Sequence, residues 1–303
     1  MKDQSTISQQ IQGLISLSRW SEHVVFVVPL TILGALLAVR MNDHATLDWR
    51  LFLVLGANLI GVTCGFMIND IEDAPDDAQD PERIHRNPIA SGQVSARLGY
   101  TVYWMLVAMA LLLYIFTDMT LLVISLIMFL LSHSYSWRPV RLKALPIVDI
   151  VSHSLLLGGF ITLAGYLAYD KNPGSAWWII ASTAFGSVYG QFYNQLRDYD
   201  SDKEAGLHNT SIVLGKKRAK QVMYASIILA LVCFVIAVLV QLFPVGLGIA
   251  ALLGIAITAK ILRPTVDARG DKAIDSSGAM QIQFLVAVNF TIAVWFIWAL
   301  IAY

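Results

Sequence analysis

Long apolar runs separated by short polar loops form the dominant pattern of this chain. We find nine such runs, at residues 23–41, 51–69, 99–117, 119–133, 146–168, 176–195, 221–241, 244–262 and 279–302. Most of them approach the roughly 20 residues that an α-helix needs to cross a bilayer. The pattern predicts an all-α fold, an integral membrane bundle of nine transmembrane helices. The short run 119–133 and its neighbour are expected to form a tight hairpin.

The composition agrees with a protein that lies in the lipid bilayer. The 303 residues are 57% hydrophobic and only 14% charged, and the mean hydropathy is +0.64. Cys64 and Cys233 lie inside apolar runs with no paired spacing, so both are expected to be small buried side chains. The polar N-terminus carries no pattern of a removable signal peptide, and the first apolar run is expected to direct insertion.

The basic residues are distributed unevenly between the two sides of the predicted bundle. The formal net charge is zero, which argues against a polyanion such as a nucleic acid as partner. Of the 21 Lys and Arg, only Arg40, Arg50 and Lys171 fall on one side, which leaves 18 on the other. The positive-inside rule then places the N-terminus and the loops after the even-numbered runs in the cytoplasm, and the C-terminus on the opposite side.

Acidic and amide side chains directly follow two of the predicted helices, on the cytoplasmic side. Residues 70–82 contain seven acids and no Lys or Arg, and a second acidic stretch follows residue 194. Both stretches share the spacing Asn-x3-Asp-x3-Asp, which places three oxygen ligands on one helix face. The candidate metal ligands are Asn69, Asp70, Asp73, Asp77, Asn194, Asp198 and Asp202. Oxygen-only ligands favour a hard ion such as Mg2+.

Pro75 lies within the first of these stretches. It cannot donate a hydrogen bond to the carbonyl of Ile71, so the helix is expected to kink or restart there, and Asp77 is expected to point elsewhere.

Basic residues near the acidic stretches are candidates for binding a phosphate group, and each has a simpler alternative. Arg83 and Arg86 either contact phosphate or pair with Asp80 and Glu82. The cations of the loop after the fourth run, which also carries Tyr135 and Trp137, suit either phosphate capture or headgroup anchoring. Arg19 beside Trp20 allows the same two interpretations. The substrate-binding candidates of this group are Arg19, Arg86, Tyr135, Arg138, Arg141, Lys143 and Lys203.

Polar residues inside the apolar runs suggest further contacts. Asp149 and His153 lie four residues apart in the fifth run, where they either touch an acceptor substrate or hydrogen bond to each other. Gln281, Gln283 and Asn289 in the last run are expected to form hydrogen bonds between helices.

The repeated motif also predicts the domain organisation. Residues 1–18 form a frayed or surface-lying cytoplasmic segment with a weak amphipathic pattern, and residues 19–303 form a single transmembrane domain. That domain consists of two four-helix halves plus one helix. Each half carries its ligands at the cytoplasmic end of its second helix, so the facing halves would enclose a cavity with a polar cap and an apolar body.

Two carboxylate clusters that hold divalent cations are suited to a substrate diphosphate. The cations bridge phosphate oxygens and neutralise the charge that develops on the leaving group. If the diphosphate carries an allylic prenyl chain, its departure leaves a carbocation that a second substrate attacks without any covalent protein nucleophile. An apolar cavity protects that carbocation from water.

These motifs resemble the UbiA superfamily of intramembrane prenyltransferases. The family pattern Asn-Asp-x-x-Asp-x-x-x-Asp is matched at residues 69–77, and Asp-x-x-x-Asp at residues 198–202. Residues 135–143, residues 88–92, Gly206 and Thr210 are also similar. The resemblance implies nine transmembrane helices, cytoplasmic motifs and Mg2+-dependent transfer from a prenyl diphosphate donor to a lipophilic acceptor. That acceptor would be an aromatic quinone precursor or a terpenoid lipid such as a carotenoid.

The resemblance also assigns roles to individual residues. Asn69, Asp73, Asp198 and Asp202 match the magnesium ligands, with Asp70 and Asp77 in support, and the catalytic set is Asp73, Asp77, Asp198 and Asp202. Arg86, Tyr135 and Lys143 match diphosphate contacts, and Arg19 matches less closely. This chain departs from the family in having Asn87 directly before Pro88, where many members have Arg.

Two other functions remain open from the sequence. A terpene cyclase of the same superfamily would ionise a prenyl diphosphate without a second substrate. A cation-coupled carrier would also combine internal pseudo-symmetry with acidic residues, although carriers place coupling carboxylates near the bilayer midplane.

Overall fold

The computed structural model describes residues 6–81 and 83–302, and within these ranges the fold is all-helical apart from one isolated β-bridge. The helices are α1 (Ile7–Ser18), α2 (Trp20–Met41), α3 (Arg50–Asp77), α4 (Ala96–Thr117), α5 (Met119–Ser136), α6 (Val148–Ser154), α7 (Phe160–Leu167), α8 (Trp177–Arg197), α9 (Tyr199–Glu204), α10 (Thr210–Leu239), α11 (Val245–Ile261) and α12 (Ser276–Ala302). One wide π-helical turn at Leu155–Gly159 joins α6 to α7, so that Val148–Leu167 forms one continuous rod.

Each of the nine apolar runs lies in a helix of this bundle. Among the described residues, seven helical stretches are long and apolar enough to cross a membrane; they include α2, α3, α4, α5, α10, α12 and the rod formed by α6 and α7. The other two runs lie in α8, which carries the polar residues Gln191, Asn194 and Gln195, and in α11, which has 17 residues. The all-α bundle is confirmed, whereas the count of nine spans and the division into two halves stay predictions.

The predicted hairpin around run 119–133 is present between α4 and α5. Asp118 is the single residue between the two helices, and its carboxylate accepts a hydrogen bond from the Thr120 backbone amide at 2.7 Å. Lys171, which follows α7, pairs with the same carboxylate at 3.1 Å. A side-chain cap of this kind satisfies an amide that the helix itself leaves without a partner.

A close contact between helices joins α2 and α7 at two glycines. A Cβ built on Gly34 would lie 2.0 Å from the Thr162 carbonyl oxygen, and one built on Gly165 would lie 2.1 Å from the Thr31 carbonyl oxygen. Only glycine allows the two backbones to approach so closely, as at small-residue contacts in other membrane bundles. Elsewhere α3 packs chiefly on α4, and α8 on α10, so each motif-bearing helix is supported by the next long helix of the chain.

Two local expectations are corrected by the structure. The helix does not restart at Pro75, because α3 continues through it to Asp77; Pro75 lies two residues from the helix end, where the loss of one hydrogen bond is tolerated. Of the two alternatives for the N-terminal segment, frayed or surface-lying, fraying is excluded from residue 7 onward, because Thr6 caps α1 together with Gln9. The α1 helix buries Leu17 and leaves Ile7, Ile11 and Ile15 exposed. Residues 1–5 of the predicted segment lie outside the described residues.

Of the three amides of the last helix that were predicted to bond between helices, Asn289 and Gln283 reach neighbouring helices, whereas Gln281 accepts from the Ala268 backbone amide in the segment between α11 and α12 and lines the cavity. The Asn289 amide donates to the Val25 carbonyl of α2 at 2.9 Å, and the Gln283 amide donates to the Leu262 carbonyl beyond α11 at 2.7 Å.

Candidate active site

A cavity of about 1130 Å³ opens at the end of the bundle where α3 and α8 terminate. Asn69 lies at its mouth, and Asn58, eleven residues earlier on the same helix, lies deep inside it. At a rise of about 1.5 Å per residue this separation corresponds to roughly 16 Å. Aromatic side chains line much of the cavity, including Phe66, Phe129, Tyr135, Tyr189, Phe234, Phe243 and Phe284. The cavity therefore combines a polar mouth with an apolar body.

The first motif surrounds a lysine ammonium at the mouth. Lys143 Nζ lies 2.7 Å from Asp73 Oδ1 and 3.0 Å from Asn69 Oδ1. Arg141 approaches Asp73 at 3.4 Å and Asp76 at 3.2 Å. The i and i+4 positions of the motif thus face one point, as the spacing predicts, and that point attracts a cation.

The other two acids of the first motif face different partners. Asp70 pairs with Arg19 at 3.3 Å, and Arg19 is also bound by Glu22 at 2.7 Å. The guanidinium of Arg19 lies 4.7 Å from the centre of the Phe66 ring, so its predicted position at the site is accompanied by an aromatic contact. Not all oxygens of the motif therefore converge.

Asn87, where the chain departs from the family pattern, holds the end of α3. Its side-chain amide donates to the Asp70 carbonyl at 2.7 Å and to Asp77 Oδ2 at 2.8 Å. Its side-chain oxygen accepts from the backbone amides of Ile89 and Ala90. Asn87 is buried, and Asp77 lies at the cavity wall with its carboxylate fixed by this amide.

The second motif lines the same cavity from the C-terminal end of α8. Asn194, Asp198 and Asp202 all contribute to its wall. Asp202 accepts from Asn209 at 3.0 Å and lies 3.7 Å from Arg83. Burial, and next the charge of Asp198, raises the pKa of Asp202 to about 6.

The remaining predicted basic residues divide between the cavity and the surface. Arg86 lies at the rim and pairs with Asp271 at 2.9 Å. Arg138 binds the Glu72 carbonyl at 2.8 Å and Asp76 at 2.9 Å, and it lies outside the cavity wall. Lys203 is exposed and also lies outside the wall. Neither Arg138 nor Lys203 is therefore placed to touch a substrate in the cavity.

The simpler alternative for the basic residues after the first motif holds in part. Arg83 pairs with Asp80 at 3.4 Å, whereas Arg86 pairs with an acid from a distant segment. Glu82, the other expected partner, lies outside the described residues.

Asp149 and His153 neither hydrogen bond to each other nor both face the cavity. Asp149 is fully buried, and its carboxylate accepts from the Thr210 amide at 2.7 Å and from Gln195 at 2.6 Å. This position contradicts a substrate contact for Asp149, and its partners replace the expected bond to His153. His153 does line the cavity, with Nδ1 3.4 Å from Ser187 Oγ. Tyr135 lies nearby and accepts a hydrogen bond from Gln191 at 2.9 Å.

Three charged residues of the mouth carry no motif in the sequence. Arg197 precedes Asp198 and binds it at 3.1 Å, and it also binds Asp267 at 2.9 Å. Arg269 and Glu22 lie at the cavity wall, 3.7 Å apart. Only the excess of basic residues on this side of the bundle pointed to Arg197 and Arg269, and it did not separate them from surface charges.

The donor set at the mouth fits a magnesium ion that is shared with a substrate. Among the described residues, no group of three His, Cys, Asp or Glu side chains is placed to hold a metal alone. Mg2+ is usually bound by one or two carboxylates, water and substrate phosphate oxygens, so such a group is not required. The oxygens of Asn69 and Asp73 already coordinate one cation, the Lys143 ammonium, which shows that this point accepts positive charge.

Comparison with known proteins gives a consistent result along most of the chain. The profile of the UbiA prenyltransferase family matches residues 27–287. A 4-hydroxybenzoate octaprenyltransferase of Shewanella piezotolerans is 29% identical over 214 residues, which cover 67% of this chain and 71% of the relative. A second enzyme of that name, from Shewanella halifaxensis, is 25% identical over 240 residues, 75% of this chain and 78% of the relative.

Two solved structures share the fold. A UbiA homolog from Archaeoglobus fulgidus bound to GPP and Mg2+ superposes with a TM-score of 0.71 at 21% identity, covering 94% of this chain and 98% of the other. The apo structure of a UbiA homolog from Aeropyrum pernix K1 gives a TM-score of 0.71 at 18% identity, covering 90% and 98% of the two chains.

Proposed function

The chain belongs to the UbiA prenyltransferase family, and from that premise we propose that it transfers a prenyl group with Mg2+ at the mouth of its cavity. As a member of the family it is a multi-pass membrane enzyme that uses a prenyl diphosphate donor. One observation carries the proposal of the site: Asn69, Asp73 and Asp77 line the same cavity as Asn194, Asp198 and Asp202.

The reaction divides between the two parts of the cavity. The carbon–oxygen bond of the allylic diphosphate breaks at the mouth, and the diphosphate leaves with the electron pair. Bound Mg2+ supplies neutralisation of the charge that grows on this leaving group. Lys143 and Arg141 add positive charge beside Asp73. The acceptor then attacks the carbocation and loses a proton.

The apolar body performs the second task, which is to exclude water. Its aromatic walls bury the prenyl chain and offer ring faces to a developing carbocation. Lys143 and Arg141 pair with Asp73 near the end of α3. The charged part of the donor therefore remains at the mouth while its tail enters the cavity. The relatives are named for an aromatic acid acceptor, and we propose a lipophilic acceptor for this chain.

The charge distribution supports an orientation with the mouth in the cytoplasm. Arg40, Arg50 and Lys171 lie at the opposite end of the bundle, where Arg50 contacts Tyr169 and Lys171 pairs with Asp118. The positive-inside rule assigns that end to the outer side of the membrane.

The test is prenyl transfer by purified protein with geranyl diphosphate, Mg2+ and 4-hydroxybenzoate, measured as pyrophosphate release and product mass. EDTA should abolish the reaction, and Asp73→Asn or Asp198→Asn should reduce it by at least about a hundredfold. Asp200→Asn is the matched control, because Asp200 is exposed in the second acidic stretch and pairs with Lys216. Full activity of the Asp73→Asn and Asp198→Asn double variant would contradict the proposal.

The same assay separates transfer from cyclisation, and lipid analysis identifies the acceptor. Pyrophosphate release without acceptor, together with a cyclic hydrocarbon product, would favour the cyclase alternative. Mass spectrometry of lipids from cells with and without the protein would reveal a mass difference equal to the transferred prenyl group.

A further inference from the structure

The segment between α11 and α12 reaches over the mouth of the cavity. Within it Val266 and Lys272 form a short antiparallel bridge, and Gly270 has a φ of 86°. The Asp267 carboxylate accepts from the backbone amides of Arg269, at 2.9 Å, and Asp271, at 3.2 Å. This turn is therefore a defined structure built around one buried acid.

Two arginines fasten the turn to the rest of the mouth. Arg197 at the end of α8 binds Asp267 at 2.9 Å, and Asp267 is 2% exposed. Arg86 binds Asp271 from the segment that follows the first motif, also at 2.9 Å. Held on both sides, the turn places Arg269 at the cavity wall.

Arg269 differs from the other cations of the mouth in being only weakly engaged by protein acceptors among the described residues. Six further cations line the cavity, and each has a protein acceptor within 3.5 Å; they are Arg19, Arg83, Arg86, Arg141, Lys143 and Arg197. In the part of the chain that the structure describes, the Arg269 guanidinium has only an ion pair with Glu22 at 3.7 Å. Partial burial, with repulsion from Arg197 and Arg19, lowers the pKa of Arg269, while 32% of its side-chain surface remains exposed.

The guanidiniums of Arg19, Arg197 and Arg269 all line the cavity wall, and that of Arg269 is only weakly engaged. Together they form a site for an anion. Guanidinium binds the two oxygens of a carboxylate or phosphate in parallel, which makes arginine suited to such groups. The existing acids do not fill this role, because Glu22 is engaged by Arg19 at 2.7 Å and Asp198 by Arg197 at 3.1 Å.

We propose that Arg269 binds an oxyanion of a substrate at the mouth of the cavity. The proposal rests on the proposed function, since it assumes that substrates enter this cavity. The anion is either the diphosphate of the donor or a carboxylate of an acidic acceptor, and both present the same paired oxygens to the guanidinium. Arg269 is a binding residue and takes no part in bond breaking.

The experiment measures the affinity of the purified full chain in detergent for two probes. Inorganic pyrophosphate with Mg2+ represents the donor, and 4-hydroxybenzoate represents an acidic acceptor. Arg269→Gln should weaken the binding of at least one probe by about tenfold or more, because a hydrogen-bonded charge pair of this kind is lost. Loss for pyrophosphate alone assigns the donor, and loss for 4-hydroxybenzoate alone assigns the acceptor.

Two further variants control the experiment. Arg269→Lys keeps the charge without the paired donors and should retain an intermediate affinity. Arg263→Gln is the matched control, because Arg263 is an exposed arginine of the same segment that lies outside the cavity wall, and this variant should bind both probes as the unmodified protein does.

The thermal stability without ligand distinguishes substrate binding from a structural role. Removal of Arg269 relieves repulsion with Arg197 and Arg19, so Arg269→Gln should have a Tm no lower than that of the unmodified protein. Unchanged affinity for both probes would overturn the proposal, and a lower Tm in the same variant would assign Arg269 to holding Glu22. If the unmodified protein bound pyrophosphate and transferred no prenyl group, the proposed function would fail independently of Arg269.

Discussion

The ammonium of Lys143 lies 2.7 Å from Asp73 Oδ1 and 3.0 Å from Asn69 Oδ1, so the lysine occupies oxygens that we propose as magnesium ligands. Both side chains of the ion pair are largely buried, at 14% and 19% exposure. Entry of Mg2+ at this point requires the ammonium to move from these oxygens, and a diphosphate beside the metal is its natural new partner.

Replacing Lys143 should therefore change stability, metal binding and turnover in different directions. Lys143→Gln should lower the free energy of unfolding in EDTA by about 2 kcal/mol, because Asp73 loses its charged partner. It should also tighten Mg2+ binding to the free protein and reduce prenyl transfer. Thermal unfolding, Mg2+ titration and the transfer assay measure the three effects.

The control for Lys143 is Lys217→Gln, which alters an exposed lysine of α10 and should change none of the three quantities. Weaker Mg2+ binding by Lys143→Gln would show that the lysine supports the metal site directly.

Asn87 should prove structurally essential to the first motif. Asn87→Ala removes donors to Asp70 and Asp77 and leaves buried polar groups without partners, at a cost of about 2 kcal/mol. Transfer activity should fall as well, because Asp77 is no longer held. Asn172→Ala, at an exposed position, serves as control and should alter the unfolding free energy by less than about 0.5 kcal/mol. Equal Tm values for the two variants would refute this role.

The contact between α2 and α7 should tolerate no added methyl group. Gly34→Ala places a Cβ 2.0 Å from the Thr162 carbonyl oxygen and should cost about 1–3 kcal/mol through overpacking. Gly254→Ala in α11 meets nothing within 4 Å and should be neutral or slightly stabilising. The two Tm values in the same detergent decide the matter, and a Gly34→Ala variant as stable as Gly254→Ala would count against the close contact.

Because of Asp202, the affinity for Mg2+ and the stability of the ligand-free protein should change in opposite directions with pH. Its pKa of about 6 is raised chiefly by burial, so the ligand-free protein gains from protonation of Asp202 as the pH falls from 7 to 5. Mg2+ requires the carboxylate, so its apparent affinity should increase over the same range as the pH rises.

The comparison that isolates this group is Asp202→Asn against the unmodified protein at pH 5 and pH 7. The Tm difference between the two proteins in EDTA should shrink at pH 5, where Asp202 is protonated. A difference that does not vary with pH would mean that Asp202 titrates outside this range.

The sequence predicted those features that depend on short spacing. The apolar runs correspond to helices because length and hydrophobicity alone decide whether a segment enters a bilayer. Asn69 and Asp73 face one point because four residues complete about one helical turn. The hairpin at Asp118 follows from the same local reading of the chain.

Contacts between residues far apart in the sequence could not be predicted from short spacing. Asp149 binds Thr210, which lies 61 residues away, and this partnership removes it from the cavity. Arg269 depends on Asp267 and Arg197, whose contact spans 70 residues. A charge in a loop carries no sign of whether it will face solvent or a cavity until such partners are known.

The wide turn at Leu155–Gly159 lets the rod formed by α6 and α7 line the cavity with one part and pack on α2 with the other. Before it His153 faces the cavity, and beyond it Gly165 meets the backbone of α2. Such a turn takes up one extra residue, which rotates everything after it by about 100° relative to an uninterrupted α-helix. Deleting a single residue there would turn Gly165 away from α2 or the His153 imidazole away from the cavity, so the extra residue sets the rotation between the packing contact and the cavity wall.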